Sequence, residues 1–151
     1  MDKNIPPGLR FALLHRSFRG RMDRLLREKD LTGVQLGVLC ALTRLEREGA
    51  QEVHQKDLEQ LTHVTHPTMT ELLRRLEKKE LIRCETSRLD RRSKHVRSTE
   101  KAQSFLREMD QLEQETFLWL CRGLEPGQVE ALLAITDQML LNLDQEEGCD
   151  A

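Results

Sequence analysis

The sequence has no tyrosine, one tryptophan and four phenylalanines, and glycine and proline are scarce for 151 residues. A β-sandwich or barrel needs many turn residues and strands rich in aromatic side chains, so this composition favours helices. No apolar run reaches the roughly 18–20 residues that a membrane-spanning helix needs. The stretch MDKNIPPGLR at the start lacks the apolar core of a signal peptide, which predicts a cytoplasmic protein.

Motifs typical of catalytic and metal sites are also missing. The four cysteines, at positions 40, 84, 121 and 149, form no C-x-x-C pair, which indicates reduced thiols. There is no glycine-rich phosphate loop and no nucleophile elbow. His63 and His66 form an H-x-x-H pair, but no further cysteine or carboxylate stands at the spacing of a zinc site. We therefore expect neither enzyme activity nor a metal or cofactor.

Charge is unevenly distributed along this slightly acidic chain. Residues 63–101 carry 11 basic and 6 acidic side chains, whereas residues 102–151 carry 2 basic and 11 acidic ones. The overall isoelectric point near 6.2 therefore hides a basic middle segment. Its most basic stretch, ETSRLDRRSKHVRST at 85–99, holds five cationic residues around one interior acid, Asp90. Such a cluster indicates an anionic partner.

Apolar spacing predicts six helices. They begin near residues 9, 33, 54, 66 and 100, and after the segment LEPGQ at 124–128. Thr32 is a favourable N-cap for the second helix and Gly49 ends it. Because this helix is apolar on nearly all sides, we expect it to be central in the fold and its Cys40 to be a buried thiol.

The middle of the chain predicts a helix-turn-helix. Met69, Leu72, Leu73 and Leu76 stand at i, i+3, i+4 and i+7, which predicts a buried stripe on the fourth helix. The turn THVT joins this helix to a short preceding one. The segments LIRCET and KHVRST alternate in polarity on either side of SRLDRRS, which is typical of a β-hairpin. The fold class is mainly α, a winged helix-turn-helix with a small β-hairpin wing.

This arrangement is suited to double-stranded DNA. The second helix of the motif can enter the major groove while the hairpin reaches the neighbouring backbone or minor groove. The candidate DNA-binding residues are Thr65, His66, Pro67, Thr68, Thr70, Glu71, Arg74, Arg75, Lys78, Arg88, Asp90, Arg91, Arg92 and Lys94. Winged helices also serve as protein-interaction modules, so an adaptor without specific DNA binding is the alternative.

The run TELLRRLEKKELIR…DRRSKHVRSTEKA resembles the MarR family of dimeric winged-helix transcription regulators. That family has R-L-E-x-x-G-L-[IV], then D-x-R in the wing, then L-T-x-x-G. Asp90 to Arg92 match D-x-R, and Thr32 to Leu36 is similar to the L-T-x-x-Q entry of the second helix. Gln55 to Leu58 resembles the start of the scaffold helix. The similarity covers roughly residues 10–143.

The resemblance implies that Arg92 probes the minor groove and that Asp90 orients a basic side chain. It further implies a homodimer formed by helices in 1–31 and 100–146 around a DNA-binding lobe at 32–99, with a disordered tail at 147–151. Such a dimer is expected to act as a repressor on a pseudo-palindromic operator and to be released by a small aromatic or anionic ligand. The candidate ligand-binding residues are His15, Arg16 and Arg19.

Three positions depart from the family pattern. Glu80 stands where a glycine usually precedes Leu81, which predicts a different geometry for the turn after the recognition helix. Ser98 replaces the usual leucine and Ala102 the usual glycine. None of the three belongs to the expected DNA face.

Overall fold

The structure is a computed structural model that describes residues 5–87 and 94–147. The elements are α1 (Pro7–Glu28), α2 (Gly33–Arg47), α3 (Gln55–Thr62), α4 (His66–Lys78), β1 (Ile82–Thr86), β2 (Lys94–Ser98), α5 (Glu100–Leu120) and α6 (Pro126–Glu147). This order confirms the predicted mainly α, winged helix-turn-helix fold. No helix in the described part of the chain is long and apolar enough to cross a membrane.

The chain divides into two compact units between Gln114 and Glu115. The first unit has a continuous core to which helices α1 to α5 and both strands contribute. Val38, Leu39, Leu42, Leu58, Met69 and Leu76 are completely buried in it. The second unit contains the last turns of α5 and all of α6. Of the tail expected at 147–151, residues 148–151 lie outside the described residues.

Local signals set several helix ends. The Thr32 hydroxyl accepts the Gln35 backbone N–H at 3.2 Å, and the Gln35 side chain accepts the Thr32 N–H at 3.0 Å. This reciprocal capping box starts α2. Gly49, at φ +94°, follows the C-cap of α2, so glycine occupies the left-handed position that suits it.

The turn at Glu80 corrects the expectation from its missing glycine. Glu80 adopts φ +61°, the left-handed conformation that glycine usually takes there. Its N–H donates to the Glu77 carbonyl at 2.8 Å, and the Leu81 N–H donates to the Leu76 carbonyl at 3.0 Å. These two bonds form a Schellman motif. The turn therefore has the geometry that a glycine would adopt there, with a side chain in a strained backbone position.

The other two departures are accommodated by their neighbours. Ser98 donates its hydroxyl and its N–H to the Glu46 carboxylate at 2.5 and 2.9 Å. Ala102 is completely buried against the core. Glu46 therefore supplies the polar partner that a serine requires where a leucine would only pack.

Helix α2 is buried on one face only, which makes the expectation of a fully central helix wrong. Val38, Leu39 and Leu42 are inaccessible, but Val34 is 52% exposed. Cys40 also lies on the exposed face instead of in the core. Partial burial of its sulfur raises the pKa of the Cys40 thiol, and the nearby Asp110 carboxylate adds to the shift. The thiol is thus disfavoured as a thiolate nucleophile near neutral pH.

The hairpin has one more partner than the sequence predicts. Strands β1 and β2 pair antiparallel, with Cys84 opposite Val96. Val53, just before α3, forms an isolated bridge to Val96, whose N–H donates to the Val53 carbonyl at 2.8 Å. The loop before the helix-turn-helix is therefore hydrogen-bonded to the base of the wing.

Candidate nucleic-acid interface

Helices α3 and α4 form the predicted helix-turn-helix. His63 ends α3 in the left-handed conformation at φ +52°, which reverses the chain within a few residues. Thr65 is the N-cap of α4, and Pro67 lies in its first turn, where a missing N–H costs no helical bond. Leu58 in α3 and Met69 in α4 are both completely buried in the same core.

The predicted stripe of α4 faces this core. Met69, Leu73 and Leu76 are buried, and Leu72 is partly buried against them. The candidate DNA-binding residues Thr65, His66, Pro67, Thr68, Thr70, Arg74, Arg75 and Lys78 are exposed, and Glu71 is half-buried. The helix therefore presents hydroxyl, imidazole and cationic groups on the surface opposite its apolar stripe.

The N-terminal end of α4 carries two adjacent hydroxyl groups. The oxygens of Thr65 and Thr68 lie 3.0 Å apart, and the Thr65 side chain forms no capping bond to the helix. The first N–H groups of an α-helix have no partner within the helix. Together with the helix dipole, they make this end favourable for a phosphate group.

Gln55 connects the scaffold helix to the exposed face of α4, a role that the sequence did not reveal. Its side-chain N–H group donates to the Thr70 hydroxyl at 2.8 Å and to the Glu59 carboxylate at 2.8 Å. The same carboxylate lies 2.7 Å from His66 Nδ1. These bonds hold the side chains of Thr70 and His66, which leaves less conformational entropy to be lost on binding.

An ionic cluster occupies the middle of the exposed face. Arg74 donates two parallel hydrogen bonds to the Glu71 carboxylate, both at 2.8 Å, and Arg75 donates a third at 2.7 Å. The hydrogen bonds from Arg74, and then those from Arg75, lower the pKa of Glu71 to about 2. Glu71 thus remains ionised and orients both guanidinium groups before any partner arrives.

The wing is described only at its base. Arg88, Asp90, Arg91 and Arg92 lie outside the described residues, so their expected contacts stay predictions. Lys94 opens β2, pairs with Thr86 and is exposed. Its backbone carbonyl lies 3.0 Å from Nδ1 of His54, the N-cap residue of α3.

A cavity of about 450 Å³ lies among α1, α2 and α5 within the first unit. Its lining includes His15, Phe18, Arg19, Met22, Leu36 and Met109. Two of the three candidate ligand-binding residues thus line it, and Arg16 is not part of the lining. Asp23, Asp110 and Glu113 also line the cavity, and Asp23 lies 3.8 Å from Arg19. Carboxylates therefore outnumber the permanently charged cation at this site.

Comparison with known proteins assigns this geometry to a family. The model of the MarR family matches residues 29–93, which contain the helix-turn-helix and the D-x-R sequence. The helix-turn-helix segment of this chain is thus similar to MarR-family domains. This match confirms the resemblance seen in the sequence motifs.

Solved MarR-family structures match most of the chain. The S. aureus MepR–DNA complex is 25% identical, with a TM-score of 0.74, over 88% of this chain and 96% of that one. S. aureus MepR bound to ethidium bromide is 23% identical, with a TM-score of 0.70, over 94% and 99%. The crystal structure of MarR is 22% identical, with a TM-score of 0.66, over 93% and 99%. The fold thus extends beyond the segment that the family model matches.

Proposed function

We propose that this MarR-family regulator is a homodimer that binds double-stranded DNA at a pseudo-palindromic operator and represses transcription. The observation that carries the proposal is the exposed face of α4, on which hydroxyl and guanidinium groups lie opposite an apolar stripe that packs into the core. The structure of MepR with DNA supports the same partner for this chain.

The N-terminal end of α4, Arg74 and the wing have different roles in this proposal. The N-terminal end of α4, with Thr65 and Thr68, approaches phosphates and base edges in the major groove. Arg74, held by Glu71, is oriented for bidentate contact with guanine or phosphate. The basic wing segment at 88–94 reaches the minor groove, where Arg92 is the principal contact and Asp90 orients a neighbouring cation.

Apolar surface on the terminal helices supports the homodimer. Leu9, Phe11 and Leu14 near the start of α1 are each about half exposed, as are Leu140 and Leu141 in α6. Apolar surface of this extent is typical of an association site. We propose that 1–31 and 100–146 form the dimer region around the DNA-binding lobe at 32–99. Two copies would then read half-sites about 34–36 Å apart.

The cavity among α1, α2 and α5 supports an effector site. Its apolar lining suits an aromatic ring, and MepR is seen with the aromatic cation ethidium. Asp23, Asp110 and Glu113 make the rim net acidic, which favours a cationic aromatic ligand over the anionic one expected from His15 and Arg19. We propose that such a ligand releases the dimer from DNA.

An unbiased selection tests the DNA-binding function. The purified protein is incubated with sheared source-genome DNA at about 150 mM salt, and the bound fragments are sequenced. Enrichment of a few intergenic fragments that share an inverted repeat is the expected result. If the dimer neutralises roughly 6–10 phosphates, affinity should fall about 10³–10⁵-fold between 50 and 200 mM salt. Fragments without a shared motif, and a shallow salt dependence, would favour the protein-binding adaptor.

The wing assignment needs its own variant. Arg92→Ala should weaken binding to a selected duplex more than about ten-fold, or about 1.4 kcal/mol, because it removes a cation that the negative potential of a narrow minor groove attracts. Arg122→Ala, which removes the same charge outside the winged lobe, is the matched control and should change affinity little. Equal affinities of the Arg92 variant and the control would overturn the wing assignment.

A further inference from the structure

Three buried polar side chains meet where the wing joins the rest of the winged lobe. His95 in β2 is 4% exposed, Ser87 just after β1 is 3% exposed, and the side chain of Glu52, in the loop before α3, is 9% exposed. Burying polar groups is costly unless they are paired with one another. The stability of this cluster therefore depends on the hydrogen bonds and ion pairs that the three side chains form with one another.

Glu52 is the common partner in this cluster. Its Oε2 accepts the Ser87 hydroxyl at 2.6 Å, and its Oε1 lies 3.7 Å from His95 Nδ1. The next residue, Val53, accepts the Val96 N–H at 2.8 Å. The loop before α3 is thus joined to both ends of the wing by side chains and to β2 by the backbone.

His95 lies between two carboxylates. Its Nδ1 faces Glu52, and its Nε2 lies 3.5 Å from Oε2 of Glu85 in β1. Nδ1 has no hydrogen-bond partner among the described residues. A neutral imidazole carries one N–H, whereas the imidazolium carries one on each nitrogen. The protonated ring therefore matches a site that has a carboxylate on each side.

We propose that Glu52 and His95 are positioning residues that fix the wing for DNA when His95 is protonated. The inference rests on the proposed DNA-binding function. Ser87, bonded to Glu52, leads directly into the arginine-rich segment at 88–92. Holding Ser87 and β2 against the loop before α3 leaves less conformational freedom in these described residues to be lost on binding, so DNA affinity should be higher with protonated His95 than with neutral His95.

Other charged groups among the described residues also lie near this pair. Glu85 faces His95 from β1, and His54 lies beside Glu52, with its Nε2 3.7 Å from Oε2. The backbone N–H of His54 donates to the Asp57 carboxylate at 2.8 Å. Because His54 and the DNA-face His66 are also imidazoles, a pH effect must be assigned to His95 by comparing variants.

Hydrogen exchange of the Val96 amide tests the pair without DNA, because this amide donates to Val53 beside Glu52. Protection factors, corrected for the intrinsic exchange rate, are measured at about pH 6 and about pH 8, on either side of the ordinary histidine range. In the native protein the factor should fall about ten-fold at the higher pH, which corresponds to about 1.4 kcal/mol of coupling.

The variants separate the pair from other titrating groups. His95→Gln and Glu52→Gln should abolish the pH dependence of Val96 protection. Glu48→Gln is the matched control, because Glu48 is an exposed carboxylate that pairs with Arg44 and not with His95, and it should keep the pH dependence. An unchanged pH dependence in His95→Gln would overturn the proposal. If His95→Gln and Glu52→Gln both unfold, the native protein alone provides the test. Its His95 ring resonances must then change over the same pH range as the protection factor of Val96. A change over different pH ranges would overturn the proposal.

A second arm measures affinity for a selected duplex at the same two pH values. The native protein should lose several-fold more affinity at the higher pH than His95→Gln does. Equal losses would overturn the coupling to DNA binding. A chain that binds no duplex at either pH would instead overturn the proposed function, and the Val96 measurement would still decide whether Glu52 and His95 hold the wing.

Discussion

Helices α4 and α6 are both rich in leucine and methionine, but these apolar side chains are buried in α4 and exposed in α6. In α4, Met69 and Leu76 are completely inaccessible and Leu73 is 5% exposed. In α6, Ile135, Leu140 and Leu143 are each 59% exposed. One helix is therefore satisfied within a single chain. The other retains an apolar surface that water disfavours and that we assign to a second copy of the chain.

The largest effect is expected in the buried helix. Leu76→Ala leaves a cavity in the core and should lower the free energy of unfolding by about 2–5 kcal/mol. Urea denaturation followed by circular dichroism measures the change. Leu140→Ala, at an exposed position of α6, is the control and should lose far less stability at a protein concentration where any dimer is dissociated. Equal losses would break the contrast between the two helices.

Charge on α6 should affect association without unfolding the winged lobe. Leu140→Lys would bury an ammonium group in the dimer interface and should raise the dimer dissociation constant at least about 30-fold, or about 2 kcal/mol. Analytical ultracentrifugation measures this constant. Val34→Lys, at a similarly exposed apolar position on α2, is the matched control. If Leu140→Lys leaves the dimer intact and Val34→Lys abolishes it, the interface lies on α2 and not on α6.

The turn after α4 offers a smaller change of opposite sign. Glu80→Gly removes the cost of a left-handed backbone at φ +61° and should raise stability by about 1 kcal/mol. Thermal and urea unfolding would detect it. Glu80→Ala keeps a Cβ in the same conformation and should give no such gain. If alanine and glycine stabilise equally, the effect comes from losing the Glu80 charge beside Lys101 and not from the backbone.

The smallest effect concerns the exposed face of α4. The pKa of Glu71 falls from 4.5 to about 2, chiefly through the hydrogen bond from Arg74. A lowered folded-state pKa contributes stability above pH 4.5 that disappears as the pH falls toward 2. Glu71→Gln should therefore flatten the stability profile slightly in this window. Glu130→Gln serves as the control, and a profile that it flattens equally would contradict the special pairing of Glu71.

Sequence patterns were sufficient where neighbouring residues alone determine the structure. The N-cap at Thr32 follows from the residue type and its place just before an apolar helix. The stripe from Met69 to Leu76 follows from helical periodicity, and the alternation in β1 and β2 follows from the pleat of a strand. These features locate the helix-turn-helix and the exposed residues of α4 from the sequence alone.

Patterns were insufficient where the outcome depends on which surface another element covers. The residues of α2 are apolar on nearly all sides of the helix, so its sequence does not specify which side is buried. Cys40 proved to be exposed. Nothing near Gln55 indicates a bond to Thr70, 15 residues away. The missing glycine at Glu80 suggested another turn, yet Glu80 adopts the left-handed conformation of a glycine and the Schellman bonds form despite its side chain.

The sequence by itself determined the helices, the hairpin and the basic character of the DNA face, because these follow from periodicity, capping and local charge. Only the tertiary structure decided that Glu52 and His95, 43 positions apart, meet beneath the wing, and that Val53 extends its sheet. The physical reason is burial. Within the folded core a polar group must find its partner wherever the chain brings one, and sequence separation carries no information about that distance.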